Sequence, residues 1–165
     1  MEPAARPDLL QRRRMLQLRV QRQQVCASFR ALAPLLCERG IRFSKSLPAA
    51  IAPAVAGFNA LPGLDERVDW SQVPAGERQY WEDAAECAAW LERGLRACGV
   101  SPGERLLVVF HTAEAALGIG AADLCAAWPS LHPRLRDTVW IVPRAPAGWL
   151  LEVSLMDRDL AWRVG

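Results

Sequence analysis

The sequence has few of the residues from which metal and redox sites are built. Its 165 residues include only two histidines, and its five cysteines form no C-x-x-C pair and stand at no zinc-ligand spacing from either histidine. An odd number of cysteines without an apolar leader segment before them predicts reduced thiols in a cytoplasmic protein. Most of these cysteines stand beside alanine or leucine, a setting typical of small buried side chains. We therefore expect no metal, no other cofactor and no disulfide framework.

Long apolar runs are also lacking. The most apolar window, residues 47–64, is interrupted by Pro48, Pro53 and Pro62. A membrane span needs about 20 apolar residues in one continuous helix, and three prolines break such a helix. The sequence therefore predicts no membrane span.

Charge and aromatic residues are distributed unevenly along the chain. Residues 1–59 contain ten basic and three acidic side chains, a net charge of +7, whereas residues 60–165 contain ten basic and fifteen acidic ones, a net charge of −5. All seven tryptophans and the single tyrosine lie from Trp70 onward, and tryptophan anchors cores and interfaces. This asymmetry favours separate surfaces with different partners, although two halves that neutralise each other in one fold would also explain it.

These distributions predict three segments. Residues 1–60 form a basic helical arm, residues 61–76 form a linker or surface loop rich in proline and glycine, and residues 77–165 form an acidic, tryptophan-rich α+β domain. Because the tryptophans all lie from Trp70 onward, the main core is expected in this part of the chain. The domain is expected to fold without residues 1–45.

The arm is predicted to be helical from a capping box at Asp8 and Gln11, with a kink at Pro34 and an end at Gly40. Apolar residues alternate three and four positions apart along it, and one arginine interrupts them; the positions are Met15, Leu18, Arg22, Val25, Phe29, Leu32 and Leu36. This seam predicts an amphipathic helix that packs either on its own domain or on another chain.

The second half is predicted to combine one long helix with a small sheet. Apolar residues at helical spacing, followed by Gly99, predict a helix over residues 77–98. Strands are expected at residues 105–111, 138–142, 149–155 and 160–164, with a short helix at 121–128, stopped by Pro129, between the first two. The predicted fold class is α+β, with about four strands packed on one long helix.

Catalytic candidates are few. His111 ends a predicted strand three residues before Glu114, which would suit an acid–base pair, and Cys125 with His111 or His132 would suit a nucleophile and its base. The simpler interpretations are a polar residue at a strand end and a buried thiol among alanines. Gly118-Ile-Gly120 lacks the third glycine of a dinucleotide loop and the Gly-Lys-Ser/Thr of a P-loop. A small hydrolase or transferase that uses His111 or Cys125 remains an alternative.

The arginines of the arm favour a partner. They are Arg12, Arg13, Arg14, Arg19, Arg22 and Arg30, and on a helix they spread around more than half of the circumference. Contact with phosphates would make the chain a nucleic-acid accessory protein, but only Phe29 is available for stacking and no reading helix is identifiable. We therefore favour an acidic protein surface, or self-association through the N-terminal helix. The predicted partner-binding residues are Arg12, Arg13, Arg14, Leu18, Arg19, Arg22, Val25 and Phe29.

The resulting functional prediction is a non-enzymatic, cytoplasmic protein-binding module, and the alanine- and arginine-rich composition is typical of bacteria. It would act as an adaptor subunit of a larger assembly, or as a toxin-neutralising immunity protein whose acidic domain plugs a basic toxin. Tryptophans on neighbouring strands could also form a cross-strand cluster. The second candidate surface therefore consists of Trp140, Trp149, Asp157, Arg158 and Trp162.

Overall fold

The computed structural model describes residues 9–46, 48–64, 67–110, 115–135, 137–144 and 148–165, with most of their side chains. The helices are α1 (Leu9–Glu38), α2 (Pro48–Asn59), α3 (Ala84–Ala97) and α4 (Ala121–Leu131). The strands are β1 (Phe43–Ser46), β2 (Gly63–Leu64), β3 (Arg67–Val68), β4 (Glu77–Tyr80), β5 (Arg105–Phe110), β6 (Ala116–Gly120), β7 (Thr138–Pro143), β8 (Trp149–Ser154) and β9 (Asp159–Val164). Short 3₁₀ helices lie at Trp70–Gln72 and His132–Arg134.

Seven strands form one antiparallel sheet in the order β1-β6-β5-β7-β8-β9-β4, and β2 pairs with β3 separately. The mixed α+β class is confirmed, but the expected sheet of about four strands is wrong. The three additional strands are β1, β4 and β6. Both edge strands are short and polar, with the sequences FSKS and ERQY. An edge strand has one side in solvent and needs no long apolar pattern, so neither segment resembles a core strand in sequence.

Strand β6 has no counterpart in the prediction; it lies between β5 and α4, the helix that was expected between the first two strands. It contains Gly118 and Gly120 and pairs with both β5 and β1. A Cβ atom on Gly118 would collide with the Ser44 hydroxyl of β1. Gly118 thus leaves room for the Ser44 side chain of the neighbouring strand, and this strand position accounts for the glycine without a phosphate.

The predicted helix 77–98 begins later in the structure than its apolar spacing indicates. Its first four residues form β4, in which Tyr80 lies opposite Asp159 of β9. Helix α3 then starts after Asp83, whose carboxylate accepts hydrogen bonds from the Ala85 and Glu86 amides at 2.9 and 2.8 Å. This N-cap fixes the helix start. The helix predicted at 121–128 likewise continues past Pro129 to Leu131.

The sheet is covered on both faces. Helices α3 and α4 and the end of α1 pack on the first face, so the sheet does not rest on one long helix. Helix α2 and the described residues of the segment 61–76 cover the second face, where Val68 and Val73 join a separate apolar cluster with Ile51 and Phe58. The segment predicted as a linker thus contributes buried side chains, and β1 brings the first segment into the sheet. The division into three segments remains a prediction.

Candidate interaction surface

The end of α1 anchors this helix to the first face of the sheet. The Phe29 side chain is 8% exposed and meets the Phe110 ring of β5 edge-on, with ring centroids 5.4 Å apart. Leu32 and Leu36 are fully buried in the same core. The helix ends where Gly40 adopts a φ of +66° and the Ile41 amide donates to the Leu36 carbonyl at 2.9 Å. The seam predicted from the sequence is therefore buried by the chain itself over its last three positions.

Before Phe29 the helix exposes a continuous face to solvent. At 1.5 Å per residue the 30 residues of α1 span about 45 Å. Leu16 is 63% exposed and Val20 is 51% exposed. We define the outer face of α1 by seven exposed residues: Arg12, Leu16, Arg19, Val20, Gln23, Ala27 and Arg30. At 100° per residue these positions lie within roughly 100° of the helix circumference, opposite Phe29, Leu32 and Leu36.

The outer face is basic as well as partly apolar. Arg12, Arg19 and Arg30 belong to it, and the only acidic residue in α1 is Glu38 at its end. Among the side chains that the structure describes, the ion pairs are Arg67–Asp157, Arg78–Asp159 and Arg96–Glu92, none of which involves α1. The positive charge of the outer face is therefore uncompensated by the described part of the fold.

The residues predicted to bind a partner are only partly visible on this surface. Arg12 and Arg19 are exposed on the outer face, whereas Phe29 lies in the core. The side chains of five others lie outside the described residues, although their backbone belongs to α1; these are Arg13, Arg14, Leu18, Arg22 and Val25. Partner binding by the arm remains a prediction. Sequence reasoning missed Leu16, Val20 and Ala27, although Leu16, Val20, Gln23 and Ala27 are spaced four, three and four apart.

The three tryptophans of the second candidate surface do not share one face of the sheet. Trp149 and Trp162 belong to the core of the first face, where they are 6% and 1% exposed. Trp140 points to the second face and stacks on Phe58 of α2, with ring centroids 4.6 Å apart and planes 7° apart. Neighbouring strand positions alternate between faces, which separates these rings.

The two charged residues of that surface lie in the turn between β8 and β9. Asp157 forms an ion pair with Arg67 and accepts a hydrogen bond from the Ser154 hydroxyl at 3.0 Å. Arg158 has a φ of +54° and donates to the Glu82 carbonyl at 3.3 Å. Both residues are exposed, but their contacts connect the turn to the rest of the fold. The five residues therefore do not form a single tryptophan-rich surface.

A buried carboxylate on the second face was not anticipated from the sequence. Glu152 of β8 is 3% exposed and accepts three hydrogen bonds: from Trp70 Nε1 at 2.8 Å, from Trp140 Nε1 at 2.7 Å and from the Val68 amide at 3.1 Å. Burial raises the pKa of Glu152, while these three donors act in the opposite direction. The only sequence signal is an acidic residue within the apolar strand WLLEVS. All three donors are internal, so this cluster holds residues 68–70 on the sheet.

The described residues do not form an arrangement that supports the catalytic alternative. Cys125 borders a groove of about 420 Å³ between α3 and α4, together with Glu92, Arg96 and Ser101. Burial raises the pKa of the Cys125 thiol and the nearby Glu92 carboxylate raises it further, whereas a nucleophilic cysteine needs a lowered pKa. His111 and Glu114 lie outside the described residues.

His132 occupies an apolar environment. Its ring packs edge-on against Trp81, with centroids 4.9 Å apart, and both ring nitrogens are buried without a hydrogen-bond partner among the described residues. Burial lowers the pKa of His132, and Arg158 lowers it further. A neutral imidazole among tryptophans suits packing better than proton transfer.

The chain matches no protein family, curated protein or solved structure with which it was compared. Among the helices that the structure describes, none combines the length and apolar character that a membrane crossing requires. The described histidine, cysteine and carboxylate side chains nowhere gather in a group of three or more that would suit a metal ion.

Proposed function

We propose that the protein is a non-enzymatic protein-binding module, which contacts its partner through the part of α1 that precedes Phe29. The observation that carries the proposal is the exposure of Leu16 and Val20, at 63% and 51%, on a basic helix. A helix gains most of its stability by packing an apolar face. Burial of both side chains in an interface would contribute roughly 2–3 kcal/mol.

The exposed apolar residues favour one version of this function. Toxin neutralisation is an inference from the acidic second half of the chain, whereas Leu16 and Val20 belong to its basic first half. We therefore favour an adaptor or complex subunit over an immunity protein. The four cysteines that the structure describes, Cys37, Cys87, Cys98 and Cys125, are all unpaired, which suits the reducing cytoplasm.

Deletion of residues 1–26 tests the proposal. The shortened chain keeps Phe29, Leu32 and Leu36, so we expect a cooperative unfolding transition close to that of the full chain. Affinity capture from a lysate of the source cells, followed by quantitative mass spectrometry, should show a specific partner that the full chain retains and the shortened chain loses.

The matched control is Val164→Ser, which alters an exposed apolar residue far along the chain and should retain the partner. Equal recovery of every captured protein by the folded shortened chain would refute the assignment of the contact to α1.

A further inference from the structure

We infer that the partner presents an acidic amphipathic helix, which packs lengthwise on the outer face of α1. The inference rests on the proposed function and deepens it, because it identifies the contact face and the chemistry of the partner. The contact face differs from the seam that includes Phe29, since the end of that seam is buried in the protein's own core.

The spacing of the outer face suits a helix as the occupant. Leu16, Val20, Gln23 and Ala27 stand four, three and four positions apart, all with exposed side chains. A second helix packs its own side chains between residues spaced in this way. The small Ala27 side chain permits close approach of the two helix axes at the end nearest the core, where α1 is anchored. The lengthwise contact would use side chains that are already exposed in the described fold.

The charges beside this row define the chemistry of the occupant. The residues Leu16, Val20, Gln23 and Ala27 form what we call the apolar row. Three arginines, Arg12, Arg19 and Arg30, lie along one side of it, and the helix has no acidic residue before Glu38. Guanidinium groups pair strongly with carboxylates, often through two parallel hydrogen bonds. Glutamates or aspartates beside an apolar row on the partner would thus satisfy both parts of the outer face.

Two other occupants match only one property of the outer face, either its exposed apolar residues or its positive charge. A second copy of α1 would bring two arginine-rich helices together, and like charges oppose association. A nucleic-acid backbone would pair with the arginines but would leave Leu16 and Val20 in contact with phosphate or water. The acidic helix is the occupant that matches both the apolar row and the positive charge.

A designed peptide pair can test the chemistry directly. The probe is a fluorescein-labelled helix of about four heptads with leucine at positions a and d and glutamate at e and g, and its counterpart has lysine in place of glutamate. Fluorescence anisotropy with the full chain should show binding of the glutamate peptide and at least ten-fold weaker binding of the lysine peptide. Binding of the glutamate peptide should weaken about ten-fold between roughly 0.05 and 0.5 M NaCl, because salt screens surface charges.

Substitutions on the outer face separate the two contributions. A Leu16→Ser, Val20→Ser double variant should bind the glutamate peptide at least ten-fold more weakly, since it lacks the apolar contact. An Arg12→Glu, Arg19→Glu double variant should reverse the preference toward the lysine peptide. Arg144→Glu changes an exposed arginine near the sheet and is the matched control, with binding expected to stay within about two-fold of the unaltered chain. Circular dichroism confirms that each variant is folded.

Three results would overturn the inference: unchanged peptide binding by both double variants, tighter binding of a DNA duplex than of the glutamate peptide, or a dimer of the full chain in light scattering that the Leu16→Ser, Val20→Ser change abolishes. The natural partner distinguishes this failure from failure of the proposed function. Retention of that partner after deletion of residues 1–26 contradicts the contact through α1 on which the proposed function rests. Loss of the partner on deletion, but not in the outer-face variants, contradicts only the acidic helix.

Discussion

Replacement of Glu152 by alanine should be among the most damaging single changes in this fold. The side chain is 3% exposed, and its carboxylate accepts hydrogen bonds from Trp70, Trp140 and Val68. The alanine variant leaves three N–H donors without their acceptor, at a cost of about 1–3 kcal/mol for each one that stays buried. Loss of the unfavourable buried charge offsets part of this cost. The expected net destabilisation is about 3–5 kcal/mol.

Glu152→Gln removes the charge of the side chain but keeps its shape, so it separates the two contributions to stability. Glutamine keeps the volume and one acceptor oxygen, so a destabilisation of only about 1–2 kcal/mol is expected. Urea unfolding followed by tryptophan fluorescence and circular dichroism gives both values, provided that the dependence on denaturant is unchanged. The control is Glu92→Ala, which removes an exposed pair with Arg96 and should cost less than about 0.5 kcal/mol. A Glu152→Ala variant within about 1 kcal/mol of the unaltered protein would refute the structural role of this carboxylate.

The pH dependence of the same variants gives an independent measurement. Because burial raises the pKa of Glu152, the folded state holds this proton more tightly than the unfolded state does. The contribution of Glu152 to stability is therefore complete below its unfolded pKa and is lost as pH rises through its raised folded pKa. The difference in unfolding free energy between the unaltered protein and Glu152→Gln should accordingly shift in favour of the unaltered protein as the pH falls from neutral through the raised folded pKa of Glu152. A constant difference would contradict the burial argument.

Three further predictions concern the first face of the sheet. Gly94→Ala should destabilise the fold by about 1–3 kcal/mol in thermal unfolding, because the new Cβ would lie 2.9 Å from Leu151 Cδ1. Thiol-reactive reagents should modify exposed Cys37 before Cys125, whose pKa is raised by burial. Mass spectrometry gives the order of modification, and the opposite order would contradict this prediction. Because the pKa of His132 is lowered in the folded state, its contribution to the free energy of unfolding is complete above the pKa of the unfolded state and is lost as pH falls through the pKa of the folded state. His132→Leu should remove this acid sensitivity.

Sequence patterns identified the strands with long apolar runs and missed the two polar edge strands, β1 and β4, and the buried, glycine-containing β6. β5, β7, β8 and β9 were all expected within a few residues of their observed bounds, because central strands need apolar side chains. The edge strand β4 was absorbed into a predicted helix, since the sequence ERQY has no feature that separates it from an exposed helical turn. Local periodicity detects burial and cannot detect pairing with a distant strand.

The interaction surface shows the same limit. The spacing from Met15 to Leu36 predicts one continuous seam, yet its end is buried by α4 and the sheet. Which side of an amphipathic helix packs on its own domain depends on tertiary contacts that periodicity does not contain. Glu152 is a second example, because the Trp70 indole that hydrogen-bonds it is 82 positions away in the chain. No local pattern predicts such a pair.

The strand order also affects how the chain is synthesised. Both edge strands of the sheet, β1 and β4, precede its other five strands in the chain, and their partners β6 and β9 lie far downstream. At about 5–20 residues per second, β1 waits roughly 4–15 s before the ribosome has made β6. During that interval α1, β1 and α2 have no sheet on which to dock. The nascent N-terminal segment is thus exposed before the sheet that anchors it exists.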